Sequence, residues 1–213
     1  LLYVMLKYVK KTKSTDFSNI SLNKFKKMLK GNVDIPLLEE RYKTIVGISK
    51  IVNERMKGNF YEFIKNITSD TQLFDIIISN FESFKDERNY DGKIIYFYKL
   101  AQLLTSDILH IREELEGIKV DYSNLIGCAD YKIPQTLRAL DILEYNDELS
   151  NIIDSEKHIE ISSKYEVEIR ASQIVVIEYT HNKLINTNPI DINDFFFVYS
   201  KKVKSIAKPY HLC

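Results

Sequence analysis

The sequence predicts an all-α fold, built as a single compact helical domain over residues 1–213. Apolar residues recur along most of the chain at the spacing that lines one face of a helix. Six glycines and four prolines supply too few tight turns for a β-sandwich, while Ile, Leu, Lys and Glu abound. A chain of 213 residues is long enough to bury a core.

Taken in order, Leu2, Val4, Met5, Leu6 and Val9 begin a first helix that fades into the polar run from Lys10 to Ser18. Ser21 opens a short helix carrying Leu22, Phe25, Met28 and Leu29, which Gly31 stops. Pro36 opens a long one through Leu38, Tyr42, Ile45, Ile48, Val52 and Met56, ended by Gly58. Phe60, Phe63, Ile64 and Ile67 mark a short helix, and residues 73–81 a further one. Residues 83–92 read as a charged loop leading into residues 93–115, helical from about Tyr96 onward. After Pro134, Leu137, Leu140, Ile142 and Leu143 recur at roughly helical spacing. Residues 147–153 form a short helix and residues 165–185 a long one through Ile169, Ile174, Val175 and Ile177. Residues 190–200 read as a last helix, although Phe195-Phe196-Phe197-Val198 would suit a strand as well. No internal repeat or low-complexity linker interrupts the pattern, which gives one domain.

Composition narrows the function. Thirty basic and thirty acidic side chains cancel, so no overall field draws the chain to nucleic acid or to an anionic membrane. No apolar run approaches the ~20 residues that span a bilayer. The opening Leu1-Leu2-Tyr3-Val4-Met5-Leu6 meets lysines at once and lacks the pattern of a secretory signal, so a reducing, cytoplasmic setting is expected. The sequons at Asn19 and Asn66 are then chance matches. Cys128 and Cys213 have no metal-ligand spacing around them, and His110, His158, His181 and His211 are scattered. Neither a metal nor a cofactor is expected, since HExxH, GxGxxG, Walker and GxSxG patterns are all missing from the sequence.

What remains is carboxylates and bases at element ends. The stretch Cys128-Ala129-Asp130-Tyr131-Lys132-Ile133-Pro134-Gln135 puts an acid, a tyrosine and a base before a proline and an amphipathic helix. Asp130 either caps that helix or reads a ligand there. Lys99, among Tyr96, Phe97, Tyr98 and Leu100, is a snorkelling surface lysine or a cation for a phosphate. Glu166 and Arg170 can pair one turn apart. Asp194 opens the aromatic run, where a carboxylate beside apolar rings is a candidate acid, base or nucleophile, unless it caps the helix with Asp191.

These blocks together resemble the queuosine salvage family. The resemblance rests on Asp34-Ile35-Pro36-Leu37-Leu38-Glu39-Glu40-Arg41, Phe97-Tyr98-Lys99-Leu100-Ala101-Gln102-Leu103, Ala129 to Gln135 and Glu166-Val167-Glu168-Ile169-Arg170-Ala171, followed by Asp194 with its aromatics and Pro209-Tyr210-His211. It implies a helical scaffold similar to helix-hairpin-helix DNA glycosylases. The implied activity is hydrolysis of the N-glycosidic bond of queuosine 5′-monophosphate, a small-molecule substrate, with release of queuine. In that family's terms Asp194 is the catalytic carboxylate. Asp130 grips the guanine-like edge, Cys128, Phe195 and Tyr199 contact substrate, and Lys99 meets its polar groups, the 5′-phosphate among the candidates. Glu168, Arg170 and Tyr131 brace the site.

Departures from the family pattern are specific. Cys128 stands where a phenylalanine is expected, Lys132 where an arginine is, and Tyr199 where a second acid is. The family's N-terminal segment is expected to be missing from this chain. The alternatives are a nucleic-acid-binding helical module, supported only by the lysines from Lys10 to Lys30, or an inactive family member.

Overall fold

A computed structural model describes residues 2–202 and the backbone of residues 211–212. The chain divides into two compact units, residues 1–67 and 68–213.

The first unit holds α1 (Leu2–Thr12), α2 (Leu22–Leu29), α3 (Leu38–Arg55) and α4 (Phe60–Ile64). Ser21 caps α2 by accepting from the Lys24 N–H, and Asn59 caps α4 through Glu62, each satisfying one orphan donor of a first turn. Phe17, Ile20, Phe25 and Leu29 form its core, with Tyr42 and Ile45 packed against them. The long helix starts at Leu38 rather than at Pro36, because Leu37 takes a left-handed conformation that no helix continues through.

The second unit begins with α5 (Asp70–Asn80), capped by Ser69, and continues through a 3-10 turn, Glu82–Phe84. The expected charged loop over residues 83–92 is instead half of a hairpin: β1 (Glu87–Tyr90) pairs antiparallel with β2 (Lys93–Tyr96). Asp91 and Gly92 both have positive φ, 49° and 81°, the backbone that a two-residue hairpin turn demands. The next helix therefore starts late. α6 (Lys99–Glu116) begins after a left-handed Tyr98 and ends on left-handed Gly117.

Four further helices follow: α7 (Lys132–Ala139), α8 (Asp147–Asp154), α9 (Lys164–His181) and α10 (Pro189–Ser200). Pro189 occupies the first helical position of α10, and the Asn188 N–H donates to Asp191, so Asp191 serves the cap while Asp194 does not. The Phe195–Val198 run is helical. Ile133, Leu137, Ile177, Ile192 and Phe196 bind α7, α9 and α10 into one core, and Leu149, Ile153, Ile159 and Ile169 form a second beneath α8. Two short strands, β3 (His158–Ile159) and β4 (His211–Leu212), pair in parallel. Helices dominate the described residues, as the sequence predicts.

Candidate active site

Three parts of the second unit meet around residues 127–131: the start of α6, the middle of α9 and the first turns of α10. The chain passes very close to both later helices. Gly127 has φ 103°, and a Cβ there would stand 3.1 Å from Ile177 Cδ1 and 3.3 Å from Asn193 Oδ1. Only glycine fits that backbone and that gap.

Side chains of α9 and α10 then hold the backbone that follows. The Cys128 N–H donates to Asn193 Oδ1 at 2.9 Å, and the Cys128 carbonyl accepts from Gln173 Nε2 at 2.7 Å. The Ala129 carbonyl accepts from Arg170 Nε at 3.0 Å, and the Asp130 N–H donates to Gln173 Oε1 at 3.0 Å. With its backbone so fixed, Asp130 presents its carboxylate outward. One oxygen accepts the Tyr131 N–H at 2.5 Å, and the other lies 2.7 Å from Lys99 Nζ. Asp130 is not the cap of α7; Tyr131 holds that position and makes no side-chain cap. Lys99 Nζ also lies 5.9 Å from the Tyr131 ring centroid.

Beside this pair sits a partly buried ionic cluster. Arg170 bonds both carboxylate oxygens of Asp86 and reaches Glu166 at 2.8 Å, while its guanidinium lies 4.0 Å from the Phe97 ring centroid. Arg88 completes an alternating square, 3.0 Å from Asp86 and 3.1 Å from Glu166. Burial pushes the Asp86 carboxyl up, but the hydrogen bond and charge of Arg170, with Arg88, outweigh it and hold the group below its ordinary value. Burial likewise opposes the charge on Arg170, and Asp86 and Glu166 reverse that, keeping it raised. Asp86 also binds the Lys99 N–H at 3.4 Å, so this one carboxylate ties α9 to the first residue of α6. Asp86, Arg88, Lys99, Asp130, Tyr131 and Arg170 are among the residues that line an open cleft of about 340 Å³.

Asp194 is not among the residues that line this cleft. It is exposed on α10, and its carboxylate accepts from Asn193 Nδ2 at 3.1 Å. The two acids nevertheless act on one buried group. Burial pushes the Cys128 thiol up to about 12, Asp194 adds most to that, Asp130 and Asp107 add further, and Lys99 opposes. Asp107 of α6 is itself pushed up, by burial and then by Asp194. Phe195 is 62% exposed and lies parallel to Tyr199, with ring centroids 5.9 Å apart, an aromatic ledge beside Asp194.

Glu168 departs from the expected bracing role. It is exposed, accepts from the Tyr90 hydroxyl at 2.5 Å, and lines a separate apolar groove of about 430 Å³ with Val175 and Val176. The helical period explains the swap: Glu166 lies one turn before Arg170, on the same face, and Glu168 does not. Pro209 and Tyr210 lie outside the described residues, and only the backbone of His211 is described. Asp86, Arg88, Gln173 and Asn193 were not visible as site residues in the sequence. Gln173 had a signal: it interrupts the apolar stripe Ile169–Ile177 at one-turn spacing, and a polar group there must find a partner. No group of His, Cys, Asp and Glu among the described residues could hold a metal ion, and no helix among them is long and apolar enough to cross a membrane.

Fold and site together define a mostly helical protein in which two carboxylates, Asp130 paired with Lys99 and Asp194 held by Asn193, adjoin one buried turn. The chain belongs to the queuosine salvage protein family, whose model matches residues 3–212, through both compact units. A mouse relative named queuosine 5′-phosphate N-glycosylase/hydrolase is 31% identical over 198 residues, which cover 88% of this chain and 59% of that protein. A relative of the same name in Sphaerobacter thermophilus is 37% identical over 150 residues, covering 70% of this chain and 46% of its own. The bovine relative, also so named, is 30% identical over 178 residues, covering 82% and 52%. The chain spans about half the length of the curated relatives it matches.

Proposed function

We propose that this chain carries the site that hydrolyses the N-glycosidic bond of queuosine 5′-monophosphate, a small molecule, and releases queuine. One observation carries the reading. Asp130 and Asp194, which lie 64 positions apart, meet at one buried residue, Cys128: Asp130 follows it two positions on, and Asp194 adjoins Asn193, whose Oδ1 accepts the Cys128 N–H, in a chain matched to the family along almost its whole length. Residues 1–213 act as one functional domain, on a scaffold similar to that of helix-hairpin-helix DNA glycosylases, in the cytoplasm and without binding nucleic acid.

The chemistry asks for two anions with different tasks. Asp130 accepts from the N1–H and exocyclic amine of the deazapurine, which its free lone pairs allow beside Lys99 and the Tyr131 N–H. Lys99 acts as the counter-ion of Asp130 at the base edge rather than at the 5′-phosphate, because its ammonium is already engaged there. Asp194 faces the ribose. As the bond from C1′ to the base nitrogen breaks, its electron pair leaves with the base and positive charge builds on the sugar, where a carboxylate stabilises it. Water then adds its oxygen to C1′, and the base nitrogen takes up a proton from solvent. Queuine carries carbon at purine position 7, so protonation there is not open to it, and stabilisation at the sugar bears more of the work. Phe195 and Tyr199 offer a flat wall for the nucleoside, Cys128 floors the site, and Arg170 and Tyr131 brace it.

Queuine release from queuosine 5′-monophosphate, followed by chromatography, tests this. Asp194→Asn lowers the rate by about a thousandfold, the scale of a lost charge stabiliser, with the far-ultraviolet spectrum unchanged. Unaltered turnover in that variant overturns the catalytic assignment.

A further inference from the structure

We propose that Gln173 and Asn193 are positioning residues that hold the sugar-facing acid, Asp194, in register with the base-gripping acid, Asp130. The inference rests on the roles proposed above for those acids and adds to them two residues and a direction.

An unbroken line of hydrogen bonds joins the two acids. The Asp130 N–H donates to Gln173 Oε1 at 3.0 Å, and Gln173 Nε2 donates to Asn193 Oδ1 at 3.3 Å as well as to the Cys128 carbonyl at 2.7 Å. Asn193 Nδ2 then donates to Asp194 Oδ1 at 3.1 Å. Both amides are buried, Gln173 at 0% and Asn193 at 3% exposure, so water does not stand in for a lost partner.

Elementary chemistry sets the orientation of each amide. A backbone N–H only donates, so the Asp130 N–H must face the oxygen of Gln173, which turns its nitrogen to the Cys128 carbonyl. The Cys128 N–H must likewise face the oxygen of Asn193. Asn193 is left with its NH2 group toward Asp194 and no alternative. The backbone of the 127–130 turn thus dictates that Asp194 meets a donor, which pins one of its oxygens. A carboxylate that stabilises a sugar cation needs that fixed placement.

Among the described residues, Asp107 of α6 and the Cys128 thiol interact electrostatically with Asp194, and His110 acts in turn on Asp107. On α7, Arg138 is taken by Asp154 and Lys132 lies by Tyr131; on α9, Glu166 and Arg170 pair with each other and Glu168 with Tyr90. Within α10, Asp191 serves the Asn188 cap.

The test is Asn193→Asp, which keeps the shape and the acceptor for Cys128 but replaces the donor to Asp194 with an oxygen. Two carboxylates then share one contact, which favours protonation. The acid limb of kcat for queuosine 5′-monophosphate moves up by about one pH unit or more, and kcat at pH 7 falls about tenfold, with KM within about threefold of the parent. A role confined to stability would lower the melting temperature and leave the pH limb in place. Asn193→Ala removes the donor without adding charge, moves the limb the same way by less, and carries the test if Asn193→Asp does not fold. An unmoved limb in folded variants, with Asp194→Asn inactive, overturns the inference and leaves the catalytic reading standing. If Asp194→Asn is fully active instead, that reading falls. The inference is then judged by carbon-13 titration of the Asp194 carboxyl: a midpoint unchanged by Asn193→Asp overturns it, and an upward move upholds it.

Discussion

Two buried polar clusters hold the same turn, and they are made of opposite chemistry. On the Asp130 side, guanidiniums and carboxylates alternate through Arg88, Asp86, Arg170 and Glu166. On the Asp194 side, the neutral amides of Gln173 and Asn193 do the holding. Arg170 and Glu166 are as enclosed as the amides, while Asp86 and Arg88 are half-buried at the edge of the cleft. The difference lies in what each kind of group encodes. A guanidinium only donates and a carboxylate only accepts, so the square is strong, but no member of it fixes which end of a neighbouring group donates and which accepts. An amide donates at one end and accepts at the other, so a pair of them transmits orientation. The ionic side gives rigidity to the base edge, and the amide side gives direction to the acid at the sugar.

Removing one member of each cluster sharpens the contrast, and the ionic side suffers most. Arg170→Met leaves Asp86 and Glu166 buried with half their positive charge gone, and costs about 3–5 kcal/mol. Urea unfolding measures it, and a loss under about 1 kcal/mol would remove the square from the account of stability. Gln173→Leu orphans the Asp130 N–H and the Cys128 carbonyl, and costs roughly 1–3 kcal/mol for each group left unpaired. Its larger effect falls on turnover, because the line to Asp194 is cut.

How far each cluster could be read in the sequence follows from the same chemistry. Helices with repeating apolar faces announce themselves, and so can their caps: Ser21 opens α2 where local propensity puts it. The hairpin β1–β2 was hidden by its charge, with Glu87 and Arg88 reading as solvated, although Asp91-Gly92 is a strong hairpin signal. Asp86 could not be assigned at all. Its partner Arg170 lies 84 residues away, and no local spacing points across that distance. Asp130, Lys99 and Asp194 were nameable because they sit in recognisable blocks. The amides between them were not, since Asn193 looks like any cap residue until its burial among Ile190, Ile192 and Phe196 is seen.

Backbone can break the amide side without touching a polar group. Gly127→Ala places a Cβ on a backbone of φ 103° and within 3.1 Å of Ile177 Cδ1 and 3.3 Å of Asn193 Oδ1, which accepts the Cys128 N–H, so both neighbours must give by a few tenths of an ångström. The strained backbone and the crowded acceptor together cost about 1–3 kcal/mol. A Gly127→Ala protein as stable as the parent would show the turn free to relax away from α10.

Acid separates the clusters more finely. Asp86 is held below its ordinary value in the folded chain, so the stability it confers is complete above about pH 4, the unfolded carboxyl range. That share is lost as pH falls further, through the folded value. Asp86→Asn flattens this limb of a stability–pH curve, and Asn193→Ala leaves it intact because no amide titrates there. Equal curves for Asp86→Asn and the parent would place the acid sensitivity elsewhere.

The smallest effect lies at the thiol between the clusters. Alkylation needs the thiolate, and burial, followed by Asp194, holds Cys128 near 12. Because that value is raised, the stability it lends is complete below the free thiol range and is lost as pH climbs from about 9 toward 12. At pH 8, in a Cys213→Ser background, iodoacetamide labels Cys128 more than about a hundredfold slower than a free cysteine. Gln173→Leu loosens the carbonyl clamp on that residue and speeds labelling, whereas Lys99→Met, which removes a cation that opposes the upward shift, slows it. Equal rates in both variants would mean that shielding of the thiol owes nothing to either cluster.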